Sequence, residues 1–244
     1  MTSLDADFLS TPDKKRTYNR SLFDTIAREY DRVTPPLSFW NDRKWKRFMT
    51  DGLNACSNPR IIDFACGTGD LTDLLSKKYP TACIIGADLT PNMLARACMR
   101  LRYVKRIGFA RADMGATPFR DDSADIVTGG YALRNAPDLP LFLREVHRVL
   151  RPGGIASFLD FSHPAPSLFA TIQYYLLLAW GSFWGLLLHR NAAVYGYIAR
   201  SLKAFPDRAS LERLILESGF ADVKTRLFFA GAIAIVSFCK PPSE

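Results

Sequence analysis

Histidine and cysteine are both scarce in this chain, and neither is grouped. Only His147, His163 and His189 occur among 244 residues, with five cysteines at Cys56, Cys66, Cys83, Cys98 and Cys239. The cysteine count is odd, no Cys-x-x-Cys occurs and no histidine cluster lies nearby. A metal site or disulfide framework is therefore not expected, and reduced cytosolic thiols are. Internal repeats and low-complexity tracts are also missing. A leader is not expected either, because Asp5 and Asp7 precede Lys14, Lys15 and Arg16. That order is wrong for a secretory signal, and the acids argue against a transit peptide. Charge is absent altogether from Leu168 to Leu188, a run long enough to span a bilayer. Gln173 and interspersed Tyr, Trp, Gly and Ser dilute it. The expectation is a buried or interfacial hydrophobic helix pair, broken near Gly181.

What is present is an ordinary globular mixture, 48% apolar and 23% charged, which excludes collagenous and disordered chains and supplies ample core. Thirty-two basic residues against 24 acidic ones leave +8. That surplus suits nucleic acid, an anionic membrane surface or acidic ligands and selects none of them. Residues 1–16 read as a disordered tail. From Ser21, apolar residues fall at helical spacing until Pro35-Pro36, and a second aromatic helix covers Phe39 to Met49. Short apolar strands then alternate with helices: Arg60 to Ala65, Ala82 to Asp88, Arg106 to Asp113, Ala124 to Gly130 and, after a turn at Pro152-Gly153-Gly154, Gly154 to Phe161. This alternation means βαβ units and a parallel sheet. A helical insert from Ser167 to about Ala204, a helix from Arg208 to Ser218 and a terminal hairpin complete one α/β domain.

The informative segment is Asp63-Phe64-Ala65-Cys66-Gly67-Thr68-Gly69-Asp70, where the first strand turns into a helix. Gly67 and Gly69 permit a tight turn and close approach of a ligand. Asp88 ends the second strand, where an acid accepts hydrogen bonds from both ribose hydroxyls. Leu71-Thr72-Asp73 stands where a dinucleotide fingerprint has its third glycine. Acids on both sides of the glycines suit a ligand with a ribose and a cationic amino-acid end, and S-adenosylmethionine fits better than a dinucleotide. The alternative for Asp63 is a helix-capping or turn acid. Asp113 and Met114, ending the third strand, are placed to hold an adenine, and Gly129-Gly130-Tyr131 ends the fourth strand on the ligand side.

These residues resemble the ubiquinone/menaquinone biosynthesis C-methyltransferases, a family of class I S-adenosylmethionine-dependent methyltransferases. The resemblance spans about residues 20–238. It rests on Phe23-Asp24-x-x-Ala27-x-x-Tyr30-Asp31, Trp45-Lys46-Arg47-Phe48, Gly67-Thr68-Gly69-Asp70-Leu71-Thr72 and Pro91-Asn92-Met93-Leu94. Downstream it continues through Leu133-Arg134-Asn135, Arg148 to Gly154, Phe161-Ser162 and Phe205-Pro206-Asp207. It implies a seven-stranded Rossmann-like sheet with the last strand antiparallel, and methyl transfer to a ring carbon of a prenylated hydroquinone. Cofactor contacts carry over onto Thr68, Asp88, Asp113, Met114 and Gly130. Tyr30, Asp63, Gly67, Gly69, Leu89 and Met93 complete the expected cofactor set. Two departures stand out: relatives usually have Ser at position 130, and an acidic Asp-x-Asp-Ser where this chain has Asn191-Ala192-Ala193-Val194 before Tyr195-Gly196-Tyr197.

On the acceptor side, Arg134 and Asn135 are expected by resemblance to orient the hydroquinol; an Arg134–Asp138 ion pair is the competing role. His163, just past strand five, is a candidate general base or an incidental loop histidine beside Pro164. Residues 17–50 are expected as a helical cap and 165–204 as a helical cover over a lipophilic acceptor, within one domain from 17 to 244. The enzyme is expected in the cytoplasm, on the inner face of the membrane as a peripheral protein, with no nucleic-acid partner and with a homodimer left open. Three rival readings remain: methylation of another lipophilic phenol, sterol or polyketide; a nucleic-acid methyltransferase using Arg96 to Arg111; and a non-catalytic membrane-surface protein.

Overall fold

A computed structural model describes residues 6–54, 57–163 and 168–242 of the chain. Three helices come first: α1 (Pro12–Ile26), α2 (Tyr30–Leu37) and α3 (Asp42–Asp51). A sheet with intervening helices follows: β1 (Arg60–Phe64), α4 (Asp70–Lys78), β2 (Cys83–Asp88), α5 (Pro91–Leu101), β3 (Ile107–Arg111), β4 (Ala124–Gly130), α6 (Ala132–Asn135), α7 (Leu139–Val149) and β5 (Leu150–Phe161). The chain continues through α8 (Leu168–His189), α9 (Ala193–Lys203), α10 (Arg208–Glu217), β6 (Ala221–Phe228) and β7 (Ile233–Cys239).

The seven strands lie in the order β3-β2-β1-β4-β5-β7-β6. The first five are parallel, and β7 runs antiparallel between β5 and β6. Helices cover both faces, so the central strands read as apolar runs. Ile126 and Val127 of β4 are fully buried, as are Phe142, Leu143 and Val146 on the inner face of α7. The strand order reverses between β1 and β4, which opens a crevice at their carboxyl ends, the place where open α/β sheets bind ligands. Ala65 and Tyr131, just past those two strand ends, both hold left-handed backbone (φ 49° and 61°). Non-glycine residues in that region cluster at functional sites.

Four expectations are corrected. The chain is ordered before Arg16: Thr11 caps α1 by accepting the Lys14 N–H, and Phe8, in a preceding 3-10 turn, stacks on Tyr18 at 4.2 Å. Residues 1–5 lie outside the described residues. Pro35 and Pro36 lie inside the last turn of α2 rather than ending it before them; each removes an intrahelical N–H donor, and the helix stops one residue later at Leu37. The Pro152-Gly153-Gly154 turn is absorbed into β5 as an irregularity, with pairing at Leu150 resuming at Ile155. Finally, α8 is one unbroken helix, and the break falls at residues 190–192 instead of Gly181. Gly181 and Gly185 serve contact: a Cβ on either would stand 2.6 and 2.5 Å from the carbonyl oxygens of Tyr195 and Asn191. The small residues let α8 and α9 close into a hairpin.

Candidate active site

The crevice holds a cavity bordered by the ends of β1, β2, β3 and β4 and roofed by α1. Gly67, Asp88, Leu89, Met93, Asp113, Met114, Gly130 and Tyr30 line it together. Gly67 needs its left-handed φ of 55°, and its missing side chain leaves room below Tyr30. Asp88 is clamped from both sides: Gly67 N–H donates to Oδ2 at 2.9 Å and Thr90 N–H to Oδ1 at 2.8 Å. Burial pushes its carboxyl up, and these backbone donors oppose that. Each oxygen keeps a lone pair, the acceptor pattern a pair of vicinal hydroxyls requires. The ribose of a nucleoside fits this acceptor pattern.

Three expected cofactor residues lie elsewhere. Asp63 is wholly buried below the loop and accepts hydrogen bonds from Thr72 Oγ1 (2.7 Å) and Thr128 Oγ1 (3.0 Å). Burial raises its pKa to about 7, with the two hydroxyls opposing. Its β1 position, paired with Gly86 and Thr128, precedes the open strand end, so it braces the sheet and does not reach the cavity. Thr68 is 1% exposed and donates to Asp31 Oδ1 at 2.6 Å, while Arg100 bridges Asp31 and the Thr68 hydroxyl. Gly69 faces Ala97 of α5, where a Cβ would sit 3.1 Å away. It serves the turn into α4. Asp113 lines the cavity but is engaged: Oδ2 is ion-paired with Arg16 Nε at 2.5 Å, and Oδ1 accepts Gly115 N–H.

A second, mostly apolar cavity adjoins the first and shares Phe23, Tyr30, Tyr131 and Asn135 with it. Leu22 and Ile26 of α1, Val33 and Leu37 of α2, and Val194 and Ile198 of α9 form its walls. Arg134 is the single charged side chain among its lining residues. Arg134 is 3% exposed, packed between the rings of Phe161 (5.4 Å) and Tyr197 (5.5 Å). Its guanidinium donates to Ser201 Oγ and stands 3.4 Å from Asp160 Oδ1, while its backbone N–H donates to Asp160 Oδ2 at 2.9 Å. Burial raises the Asp160 carboxyl, and Arg134 opposes that. The partner is thus Asp160, whereas Asp138 caps α7 through Leu141 N–H at 2.8 Å. Asn135 is partly committed: its amide donates to the Tyr131 carbonyl, and Tyr197 OH donates to its Oδ1 at 2.6 Å.

His163 lines neither cavity. Its ring nitrogen meets the Phe205 carbonyl at 3.0 Å, in a separate pocket with Gln173 and Lys203. Phe161, the last residue of β5, still lines the second cavity, but the next residue is tied to α8, the Ser162 carbonyl accepting from Gln173 Nε2 at 2.8 Å, and this turns His163 out of the site. Pro164 lies outside the described residues. Sequence reasoning also missed Arg16, Asn19 and Arg20, which line the first cavity from α1, and the Asp160 partner of Arg134. An acid inside the apolar strand Ile155 to Phe161 was the available signal for Asp160.

With the geometry in place, comparison with known proteins decides the family. The model of the ubiE/COQ5 methyltransferase family matches residues 11–240. The chain belongs to that family. It is therefore an S-adenosylmethionine-dependent methyltransferase. It is 37% identical to a 2-phytyl-1,4-naphtoquinone methyltransferase of Thermosynechococcus vestitus, over 88% of this chain and 96% of that one. A demethylmenaquinone methyltransferase of Staphylococcus saprophyticus is 32% identical, over 91% and 95%. Among solved structures, a Haloferax volcanii methyltransferase in complex with a methyltransferase activator superposes with a TM-score of 0.66 at 16% identity, covering 90% and 97% of the two chains. That likeness shows a shared fold.

Proposed function

We propose that this family member C-methylates the ring of a prenylated hydroquinone, with S-adenosylmethionine in the first cavity and the acceptor in the second. The observation that carries this is the meeting of the two cavities at Tyr30, Tyr131 and Asn135, with one buried cation on the acceptor side. Both relatives named above act on naphthoquinone-type acceptors by name. Asp88 would hold the ribose hydroxyls, Met114 and Asp113 would border the base, and Gly67 would admit the cofactor against the backbone. When bound, the cofactor supplies an electrophilic methyl on sulfur.

The chain's own residues prepare the acceptor. Arg134 favours the ionised form of a ring hydroxyl beside it, because an adjacent cation lowers a phenol's pKa. The resulting charge density on the ring is what attack through carbon needs. Tyr197 and Asn135, locked to each other, fix one edge of the slot, and the aliphatic walls keep water out.

The acceptor's tail calls for a lipid surface, and α8 offers one. Leu168, Ile172, Tyr175, Leu176, Phe183, Leu186 and Leu187 are all exposed along one side of that helix. They form an uncharged stripe about 30 Å long. By length and composition α8 could cross a membrane. It nevertheless packs on α9, and β6 and β7 return from it to complete the sheet that β5 belongs to, a pairing a bilayer would forbid. We therefore read the protein as peripheral, on the cytoplasmic face, with a homodimer through the same stripe as the competing use. The test of function is product mass spectrometry with hydroquinones of graded tail length. A product heavier by one methylene, with the methyl on ring carbon, is expected. Methylation only at oxygen, or only of a sterol or polyketide, rejects the assignment.

A further inference from the structure

We propose that Lys46 anchors the carboxylate at the amino-acid end of the cofactor, an inference that rests on the cofactor reading above. The strand order supplies the first argument. The cavity is bordered in sequence by Asp113 and Met114 after β3, Asp88 at the end of β2, Gly67 after β1 and Gly130 at the end of β4. Across the sheet β3, β2, β1 and β4 are consecutive neighbours, spanning about 14 Å at the usual strand spacing. A ligand whose base lies at β3 and whose ribose lies at β2 must bring its amino-acid end to β1 and β4.

Lys46 of α3 waits at that end. A Cβ built on Gly130 would stand 3.2 Å from Lys46 Cε and 3.9 Å from its Nζ. The same ammonium lies 5.5 Å from the Tyr131 ring centre, and Tyr131 also lines the cavity. Lys46 is only 2% exposed, yet it stays charged. Burial works against the ammonium, but Asp70 and Asp42 outweigh it and hold the pKa above the ordinary lysine value. The contacts are Nζ to Asp70 Oδ2 at 2.6 Å and to Asp42 Oδ2 at 2.9 Å. Asp42 is itself fixed, accepting the Tyr131 hydroxyl at 2.7 Å.

An ammonium has three N–H donors, and these two acids occupy two. The third is the one buried cationic donor the described residues place beside Gly130. Two acids against one lysine leave a surplus negative charge, and an amino-acid end brings an ammonium as well as a carboxylate. Asp70, whose side chain is 37% exposed, faces an adjoining cavity that shares Tyr30 with the first, and is the acid assigned to balance that ammonium.

Calorimetry on the full-length protein tests this. S-adenosylhomocysteine is compared with 5′-methylthioadenosine, which lacks the amino-acid end, and with the analogue of S-adenosylhomocysteine that lacks only the carboxylate. The parent is expected to bind the carboxylate-free analogue at least tenfold more weakly than S-adenosylhomocysteine. Lys46→Met should lose at least tenfold for S-adenosylhomocysteine while holding methylthioadenosine within threefold, which also shows that it folds. Asp88→Asn, in contrast, should weaken both. If the parent binds the carboxylate-free analogue as tightly as S-adenosylhomocysteine, or Lys46→Met binds the latter like the parent, the anchor is refuted. If the parent binds none of the three ligands, the cofactor reading itself falls.

Discussion

The two cavities that meet at Tyr30 are built by different means. The cofactor side is made of strand ends: Asp88 and Gly130 end, and Asp113 and Gly67 follow, four neighbouring strands whose register the sheet fixes. The acceptor side is made of helices far apart in sequence, with α1, α2, α6 and α9 each contributing side chains. On the first side, backbone N–H groups hold the polar residues in place. On the second, a buried ion pair and a tyrosine–asparagine contact do so. Position is therefore separable from stability beside the cofactor, whereas beside the acceptor the two are coupled.

The largest test of that contrast is Arg134. Removing it leaves Asp160 buried with only backbone donors from Arg134 and Phe161. Breaking a buried pair from one side costs about 3–5 kcal/mol. Arg134→Met should show that loss in denaturant unfolding, and adding Asp160→Asn should recover part of it. Turnover should stay low in the double variant, and its affinity for S-adenosylhomocysteine should match the parent's. Recovery of turnover along with stability would reduce Arg134 to a structural role.

Legibility in the sequence follows the same divide. Gly67 and Asp88 were readable because strand period and turn chemistry place them without reference to the rest of the chain. Thr68 was misplaced because its hydroxyl partner, Asp31, is 37 positions away and belongs to a helix with its own packing demands. The start of α1 was visible as Thr11-Pro12-Asp13, a capping residue followed by proline and an acid. Residues 1–16 were instead read as a disordered tail, although Arg16 in fact ion-pairs with Asp113 at the cavity. Arg134 and Asn135 were found by resemblance; an acid within an apolar strand was the one hint of Asp160, and no local pattern indicated that Tyr197 holds Asn135.

Asp63 provides the next test, as an acid under the cofactor loop that does not touch the cavity. Its folded pKa of about 7 stands above the unfolded value. The folded state therefore holds the extra proton between about pH 4 and pH 7. Its contribution to stability is complete below that window and is lost as the pH rises through about 7, by at most about 4 kcal/mol. Replacing it by Asn should remove this slope, so that parent and variant stabilities diverge across the window, with no change in S-adenosylhomocysteine affinity. Parallel stability curves would show that Asp63 is ionised throughout, and a loss of affinity would return it to the cofactor set.

The smallest expected effects set the two faces of α8 against each other. On its inner face, Gly181→Ala puts a methyl 2.6 Å from the Tyr195 carbonyl oxygen, backbone against backbone, so the α8–α9 hairpin must part. Overpacking of that kind costs about 1–3 kcal/mol. Because Tyr195 and Tyr197 line the acceptor cavity, acceptor KM should rise while S-adenosylhomocysteine affinity stays at the parent's value. On the outer face, Leu176 and Leu187 are 65% and 60% exposed, and replacing both with Gln removes little packing. Stability should change by less than about 0.5 kcal/mol. Turnover of a short-tailed, water-soluble acceptor should be unchanged. Flotation with vesicles containing an anionic phospholipid should nevertheless drop severalfold, because the stripe supplies the apolar contact, and exposed Arg43, Lys44, Arg47 and Arg190 are left as the electrostatic contribution. Parent-like flotation of the double variant would remove α8 from the membrane contact. A parent that dissociates into smaller species in gel filtration once both leucines are changed would instead assign the stripe to a second copy of the chain.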